Sequence, residues 1–253
     1  MGNIEIIGLH GLPEFDISHD LPKLIYESSL SSAGGIKSGD VIVVTQKIVS
    51  KVEGMVRDLL DVIPTSEASE LADKLGKDPR LVQMILEQSS EIVRTDFDRG
   101  VLITESIHGF ICANAGIDSS NIEGDTKIAL LPRDSNASAK KILKDLKNLS
   151  GIDSIGVIIS DTFGRPWRDG HVNFAIGCAG MSPYIDYKDT IDAVGKVLKV
   201  TTIAVADELA AASELVTGKS LNIPVVLIRG CEFKPEGLVE ESLLRPKEND
   251  LFR

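Results

Sequence analysis

Asp40-Val41-Ile42-Val43-Val44-Thr45 is an unbroken run rich in β-branched residues, opened by Gly39 and closed by Gln46-Lys47. A strand without polar alternation has to be covered on both faces, as in a sheet layered between helices. Residues 154–160 repeat the pattern after a helical stretch at 137–149, and they end in Asp161-Thr162. The same rhythm returns between residues 196 and 230, where an alanine-rich helix at 207–217 precedes the apolar run 223–228. This alternation specifies an α/β (α+β mixed) class, with mixed sheets flanked by helices.

Working outward, residues 3–9 read as a first strand, after which Gly8, Gly11 and Pro13 break regular structure and leave backbone N–H groups in a loop. Asp20 suits the N-cap of a helix that aligns Leu21, Leu24, Ile25 and, less regularly, Leu30. Residues 66–76 and 78–89 are helical by composition, the second opened by Asp78-Pro79. Strands at 91–95 and 101–105 form a hairpin through Asp96-Phe97-Asp98-Arg99-Gly100, and another strand follows at 127–131. No repeat, low-complexity tract or long linker divides the chain, so residues 1–253 are expected to form a single entangled unit.

The charge balance is 27 Lys+Arg against 38 Asp+Glu, a net of −11, with a pI near 4.9. Such a balance argues against nucleic-acid binding through a broad basic face, because phosphate neutralisation needs clustered cations. It leaves room for a small anionic ligand. Hydrophobic residues at 43% and charged residues at 26% exclude disorder, collagen and coiled coil. Cys112, Cys178 and Cys231 are odd in number and form no CxxC pair, so reduced thiols in the cytoplasm are expected. The start Met1-Gly2-Asn3-Ile4-Glu5 lacks signal-peptide features, and no apolar stretch reaches the roughly 18–20 residues of a membrane span.

Four polar or glycine-rich segments each follow an apolar strand, where α/β proteins gather ligand-binding groups. In the first, residues 45–54, Lys47 and Lys51 lie four apart beyond a buried strand, as phosphate contacts or as a solvated helical face. In the second, Asp118 and Asn121 offer hard oxygens suited to Mg²⁺ or Mn²⁺, or else a local Asx turn. The third places Asp161 and Thr162 at a strand end, then a rigid loop bearing Arg165, Trp167, Arg168 and His171. Asp161 suits a magnesium ligand and the arginines suit carboxylate or phosphate oxygens; a structural Arg–Asp network is the bland alternative. The fourth contains Gly218-Lys219-Ser220, which is no Walker A loop: Ser213 stands where that motif has glycine, and the tripeptide follows a helix. Gly218 reads as the cap of that helix.

In this order the segments resemble the coenzyme F420-0:L-glutamate ligase family, also called F420 gamma-glutamyl ligase. The resemblance spans nearly the whole chain, through Gly11-Leu12-Pro13, Ser50-Lys51-Val52-Glu53-Gly54, Ala113-Asn114-Ala115-Gly116-Ile117-Asp118, Ser160-Asp161-Thr162-Phe163-Gly164-Arg165-Pro166-Trp167-Arg168 and Ala206-Asp207-Glu208-Leu209-Ala210. It implies the family-specific α/β fold and a homodimer; some relatives carry a fused nitroreductase-like domain, for which 253 residues are expected to leave no room. It implies GTP-dependent attachment of L-glutamate to the lactyl carboxylate of F420-0, then a second glutamate through a γ-linkage. Two Mg²⁺ or Mn²⁺ ions and K⁺ are implied as cofactors, with Asp118, Asp161 and Thr162 as metal ligands. Leu12, Pro13, Glu14, Phe15, Gln46, Lys47, Lys51 and Asn121 would contact GTP. Thr217, Gly218, Lys219, Ser220, Leu221, Asn222, Ile223 and Pro224 would close over it. Where the family has a metal-ligating Gln or Glu, this chain has Lys219; a protonated amine cannot ligate, so Glu208 or Glu214 would substitute or one ion would bind weakly.

The residue chemistry agrees with that reaction. A carboxylate is a poor acyl donor, so an acyl phosphate must form before the glutamate amine attacks. Asp161 would anchor the metal side, Arg165 and Arg168 would neutralise phosphate or substrate carboxylate, and His171 is a conceivable base. Two other classes remain: a non-catalytic deazaflavin- or nucleotide-binding protein, suggested by Lys219, and a metal-dependent phosphohydrolase, suggested by acidic strand ends.

Overall fold

The computed structural model describes residues 2–119, 124–218, 220–237 and 242–251. Strand β1 (Glu5–Gly8), helix α1 (Leu21–Ala33), strand β2 (Val41–Thr45) and helix α2 (Gln46–Val52) open the chain. Next come β3 (Val56–Asp58), α3 (Ser66–Leu75), α4 (Pro79–Glu87), β4 (Ser89–Asp96), β5 (Val101–Ser106), β6 (Ile111–Ala113) and β7 (Lys127–Ala129). Helix α5 (Ser135–Ser150) leads into β8 (Gly156–Arg165) and β9 (Arg168–Ala179). The short β10 (Ile185–Asp186) and β11 (Thr202–Ile203) precede α6 (Val205–Thr217) and β12 (Val225–Arg229). These elements form two compact units: Met1–Val49, Asp134–Thr162 and Val172–Leu243 make the first, Ser50–Arg133, Phe163–His171 and Leu244–Arg253 the second.

The first unit is built on a five-stranded sheet ordered β1-β12-β2-β8-β9. The two apolar runs of the sequence are its parallel pair, with Val41 opposite Gly156 and Thr45 opposite Ser160. Strand β12 is antiparallel to both β1 and β2. The expected second helix-and-strand repeat is thus no parallel crossover. Its leading strand, β11, pairs with β10 in a separate sheet, so α6 does not join two strands of one sheet.

Alternation along these strands divides the core. Val41, Val43, Ile158, Val226 and Ile228 turn one face onto Val205, Ala206, Leu209 and Ala210 of α6, whose alanines allow a close approach. Ile42, Val44, Val157, Ile159 and Leu227 point the other way and are fully buried. On that side α1 packs over β1 and β12, with α5 beside it. The Asp20 side chain caps α1 by accepting from Lys23 N, as the sequence indicates. Arg229 reaches both carboxylate oxygens of the fully buried Asp40 at 2.9 and 2.8 Å, and donates to the carbonyls of Ala33 and Gly35. It ties β12 to the end of α1.

The second unit combines the α3–α4 pair, an antiparallel β3–β7 pair and a three-stranded β4-β5-β6 sheet. The expected hairpin is present, with Asp96 opposite Val101. Met55, Leu59, Met84, Ile128 and Leu130 form one core, and Leu75, Ile85, Leu102 and Ala115 another. Strand β8 runs past Ser160 to Arg165, and β9 begins at Arg168. The arginine-rich segment, expected to be a loop, is therefore a hairpin tip turned at Pro166-Trp167. Proline first and a positive φ of 64° at Trp167 second are the residue pattern of a type II turn.

Candidate functional site

Strand direction in the first unit collects the sites read from the sequence. Parallel pairing brings the carboxyl end of β2 beside Ser160, so Gln46 and Lys47 leave the sheet at the same end as Asp161 and Thr162. Strand β12 runs oppositely and presents its amino end there: Thr45 N donates to Pro224 O at 3.0 Å. Strand β1 returns its carboxyl end to the same place, with Leu9 N donating to Val225 O at 2.9 Å. Segments 10–15, 46–47 and 223–224 thus lie at one end of the strands, level with Asp161 and Thr162 where β8 runs on beyond its pairing with β2, the end where open α/β sheets bind ligands.

Side-chain hydrogen bonds order this end. Asp161 Oδ1 accepts from Thr162 N at 2.8 Å. Thr162 Oγ1 donates to Asn173 Oδ1 at 2.7 Å, and Asn173 Nδ2 donates to Glu214 Oε2 at 3.0 Å. Ser160 is 2% exposed, and its hydroxyl has no hydrogen-bond partner among the described residues. Along β8 Ser160 and Thr162 share one face and Asp161 lies on the other, so the strand offers hydroxyls on one side and a carboxylate on the other, hard oxygen donors of the kind Mg²⁺ and Mn²⁺ take. Among the described residues no group of three or more His, Cys, Asp or Glu is gathered to hold an ion. The donor set fits in kind, because Mg²⁺ needs only one or two protein carboxylates beside water and phosphate oxygens.

The loop after β1 is held at both ends. His10 N donates to Ser32 Oγ at 3.1 Å and its carbonyl accepts from Ser28 Oγ at 2.7 Å. Further on, Phe15 is buried edge-on against His19, which also accepts from Asp16 N. The hydroxyl and backbone N–H of Ser18 hold the Asp16 carboxyl below the usual carboxylate value. Leu12 is half-buried, and Pro13 and Glu14 are exposed. Gln46 is buried and Lys47 half-buried at the start of α2. At the end of α6, Thr217 Oγ1 donates to Ser213 O, and Gly218 closes the helix by donating to Glu214 O. Ser220, Leu221 and Asn222 are exposed, Ile223 is buried and Pro224 half-buried.

Lys51, Asp118, Arg165, Arg168 and His171 belong to the second unit. Asp118 exchanges backbone hydrogen bonds with Ala129, at 3.0 and 2.8 Å. It follows Asn114, Ala115 and Gly116, all at positive φ, so the chain enters it through a left-handed turn. Two non-glycine residues in that region mark stored strain, a recurrent feature of binding sites. Arg165 donates to Asp169 O at 3.1 Å, while its buried Nε has no partner among the described residues. Arg168 and His171 are exposed on β9. Asn121 and Lys219 lie outside the described residues.

Sequence reasoning missed Asn173 and Ser160. Asn173 carried a signal, since Asn is depleted in strands yet sits inside the apolar run Val172-Asn173-Phe174-Ala175-Ile176. Ser160 carried none. Glu208 and Glu214 were open as substitutes near Lys219, and Glu214 is the one hydrogen-bonded into the Thr162 chain.

Comparison with known proteins converges with these observations. Residues 11–230 match the family model described as F420-0:Gamma-glutamyl ligase. The coenzyme F420:L-glutamate ligase of Methanothermobacter thermautotrophicus is 44% identical over 254 residues, covering 99% of each chain. The enzyme of that name from Methanocaldococcus jannaschii is 44% identical over 99% of this chain and 97% of its own. That of Archaeoglobus fulgidus is 38% identical over 99% and 96%. With matches over this extent, the chain belongs to the F420-0:Gamma-glutamyl ligase family.

Proposed function

We propose that this protein is a cytoplasmic, homodimeric ligase that joins L-glutamate to the lactyl carboxylate of F420-0 at the expense of GTP, then joins the amine of a second glutamate to the γ-carboxylate of the first. The observation that carries the reading is that segments 10–15, 46–47 and 223–224 lie at one end of the strands, level with Asp161 and Thr162 on β8, in a chain similar throughout to coenzyme F420:L-glutamate ligases.

The carboxylate oxygen of F420-0 attacks the γ-phosphorus of GTP, the β–γ bridging bond breaks and GDP departs, leaving an acyl phosphate. The glutamate amine then attacks the acyl carbon; a C–N bond forms, inorganic phosphate leaves and the amine proton is released. Both reactants of the first step are anions, so charge has to be neutralised before they approach. Lys47 and Lys51 take phosphate oxygens, and Arg165 and Arg168 hold phosphate or the substrate carboxylate. Leu12, Pro13, Glu14, Phe15, Gln46 and Asn121 seat the nucleotide, and residues 217–224 close over it. His171 is the candidate acceptor of the amine proton. Two Mg²⁺ or Mn²⁺ ions held by Asp118, Asp161 and Thr162, with K⁺, would supply the remaining positive charge around the phosphates.

A coupled assay of GDP and phosphate release tests this. Release should require F420-0, L-glutamate and Mg²⁺ or Mn²⁺ together. Asp161→Ala should abolish turnover while the thermal melt stays cooperative; normal activity in that variant would remove Asp161 from the machinery.

A further inference from the structure

At the tip of the β8–β9 hairpin, Trp167 has a conformation and an exposure that the fold does not require. Trp is usually well buried, yet this one, the only Trp of the chain, is 87% exposed. It also takes a positive φ of 64°, a region that a bulky side chain enters at a cost and that Gly or Asn enters readily. Either of those residues would make the same turn with less strain and less apolar surface in water. Strain of this kind clusters where ligands bind. With so little of Trp167 covered, its indole ring is open to solvent.

The hairpin that carries this ring is anchored. Phe163, just before the tip on β8, packs against Phe110 with ring centroids 6.1 Å apart. Arg165 ends β8 and Arg168 opens β9, so the arginines flank the turn residues Pro166 and Trp167. Arg165 Nη2 donates to Asp169 O at 3.1 Å, while its buried Nε has no partner among the described residues. A ring flanked in the chain by arginines suits a ligand that is itself flat and aromatic and carries anionic groups. Of the proposed substrates, glutamate has no ring, and GTP is assigned to other segments. F420-0 combines a flat deazaflavin with a phosphodiester and a carboxylate.

We infer that Trp167 is a substrate-binding residue whose indole stacks on the deazaflavin ring of F420-0, with Arg165 and Arg168 serving the anionic tail. The inference rests on the ligase reading above and deepens it by naming the side chain that recognises the acceptor.

Because the chain has no other Trp, selective tryptophan excitation of the full-length protein reads this residue alone. Titration with F420-0 should quench the emission, and GDP should leave it unchanged. Steady-state kinetics then separate stacking from mere proximity. Trp167→Ala should raise KM for F420-0 about 10-fold, as when an aromatic ring loses its stacking platform. Uniform binding of this kind leaves kcat and the KM for GTP within about twofold of the unsubstituted values. Trp167→Phe keeps a ring face and should hold KM for F420-0 within about threefold. Thermal melting checks that both variants are folded. An unchanged KM for F420-0 in Trp167→Ala, a raised KM for GTP in its place, or quenching by GDP would overturn the inference and leave the ligase reading standing. So would a blue-shifted emission insensitive to F420-0, which would put Trp167 in a contact between subunits. If the unsubstituted protein makes no glutamylated F420-0, the ligase reading itself fails and the inference falls with it.

Discussion

Asp207 stands in the first turn of α6 and accepts from Ala175 N at 2.9 Å. Burial pushes its carboxyl above the ordinary value, against the lowering effect of that hydrogen bond. A group with a raised folded pKa favours folding while protonated, so its contribution is full below the unfolded value of 3.8 and is lost as pH rises through the raised one. Asp207→Asn keeps an acceptor for Ala175. It should flatten this part of the profile and leave the protein at least as stable at neutral pH; urea unfolding across pH checks it, and an unaltered profile would contradict the burial effect. Arg229 is the opposite case. Arg229→Ala would leave the fully buried Asp40 carboxylate with its 2.7 Å bond from Lys37 N but no counter-charge. A loss of about 3–5 kcal/mol in denaturant unfolding is expected.

At the scale of elements, the junction of β9 with α5 leaves no room for a side chain. A Cβ on Gly177 would collide with the Ser135 carbonyl at the start of the helix, while Cys178 N donates to Asn136 Oδ1 at 3.0 Å. Gly177→Ala should therefore cost about 1–3 kcal/mol by forcing strand and helix apart, read as a lowered urea midpoint. The same scale separates what the sequence discloses from what it does not. The runs at 41–45 and 154–160 were legible because burial on both faces leaves consecutive apolar residues. The direction of β12 was not, since its partners β1 and β2 lie far away in the chain. Gly164 and Pro166 made the end of β8 look like a loop, whereas pairing with β9 keeps it extended. The Thr162–Asn173–Glu214 chain joins residues 11 and 41 positions apart, beyond the reach of any local pattern.

At the scale of the whole molecule, the net charge of −11 describes a protein whose proposed ligands are anions. The acidic surplus is compatible with such ligands if carboxylates at the site recruit cations that invert the local field. Asp161 lies in the first unit, and Asp118 and the hairpin arginines in the second. These candidate ligands are absent from the hydrophobic clusters of both units, so chelation should suppress turnover without unfolding either one; EDTA treatment followed by Mn²⁺ or Mg²⁺ readdition, with circular dichroism alongside, checks this. Family membership was legible because its motifs are short, contiguous and ordered. The central claim is tested most directly by mass spectrometry of F420-0 after incubation with the protein, GTP, L-glutamate and Mg²⁺ or Mn²⁺. The expected result is F420-0 heavier by one and then two glutamyl residues only when GTP is present; F420-0 of unchanged mass in the complete mixture would contradict it.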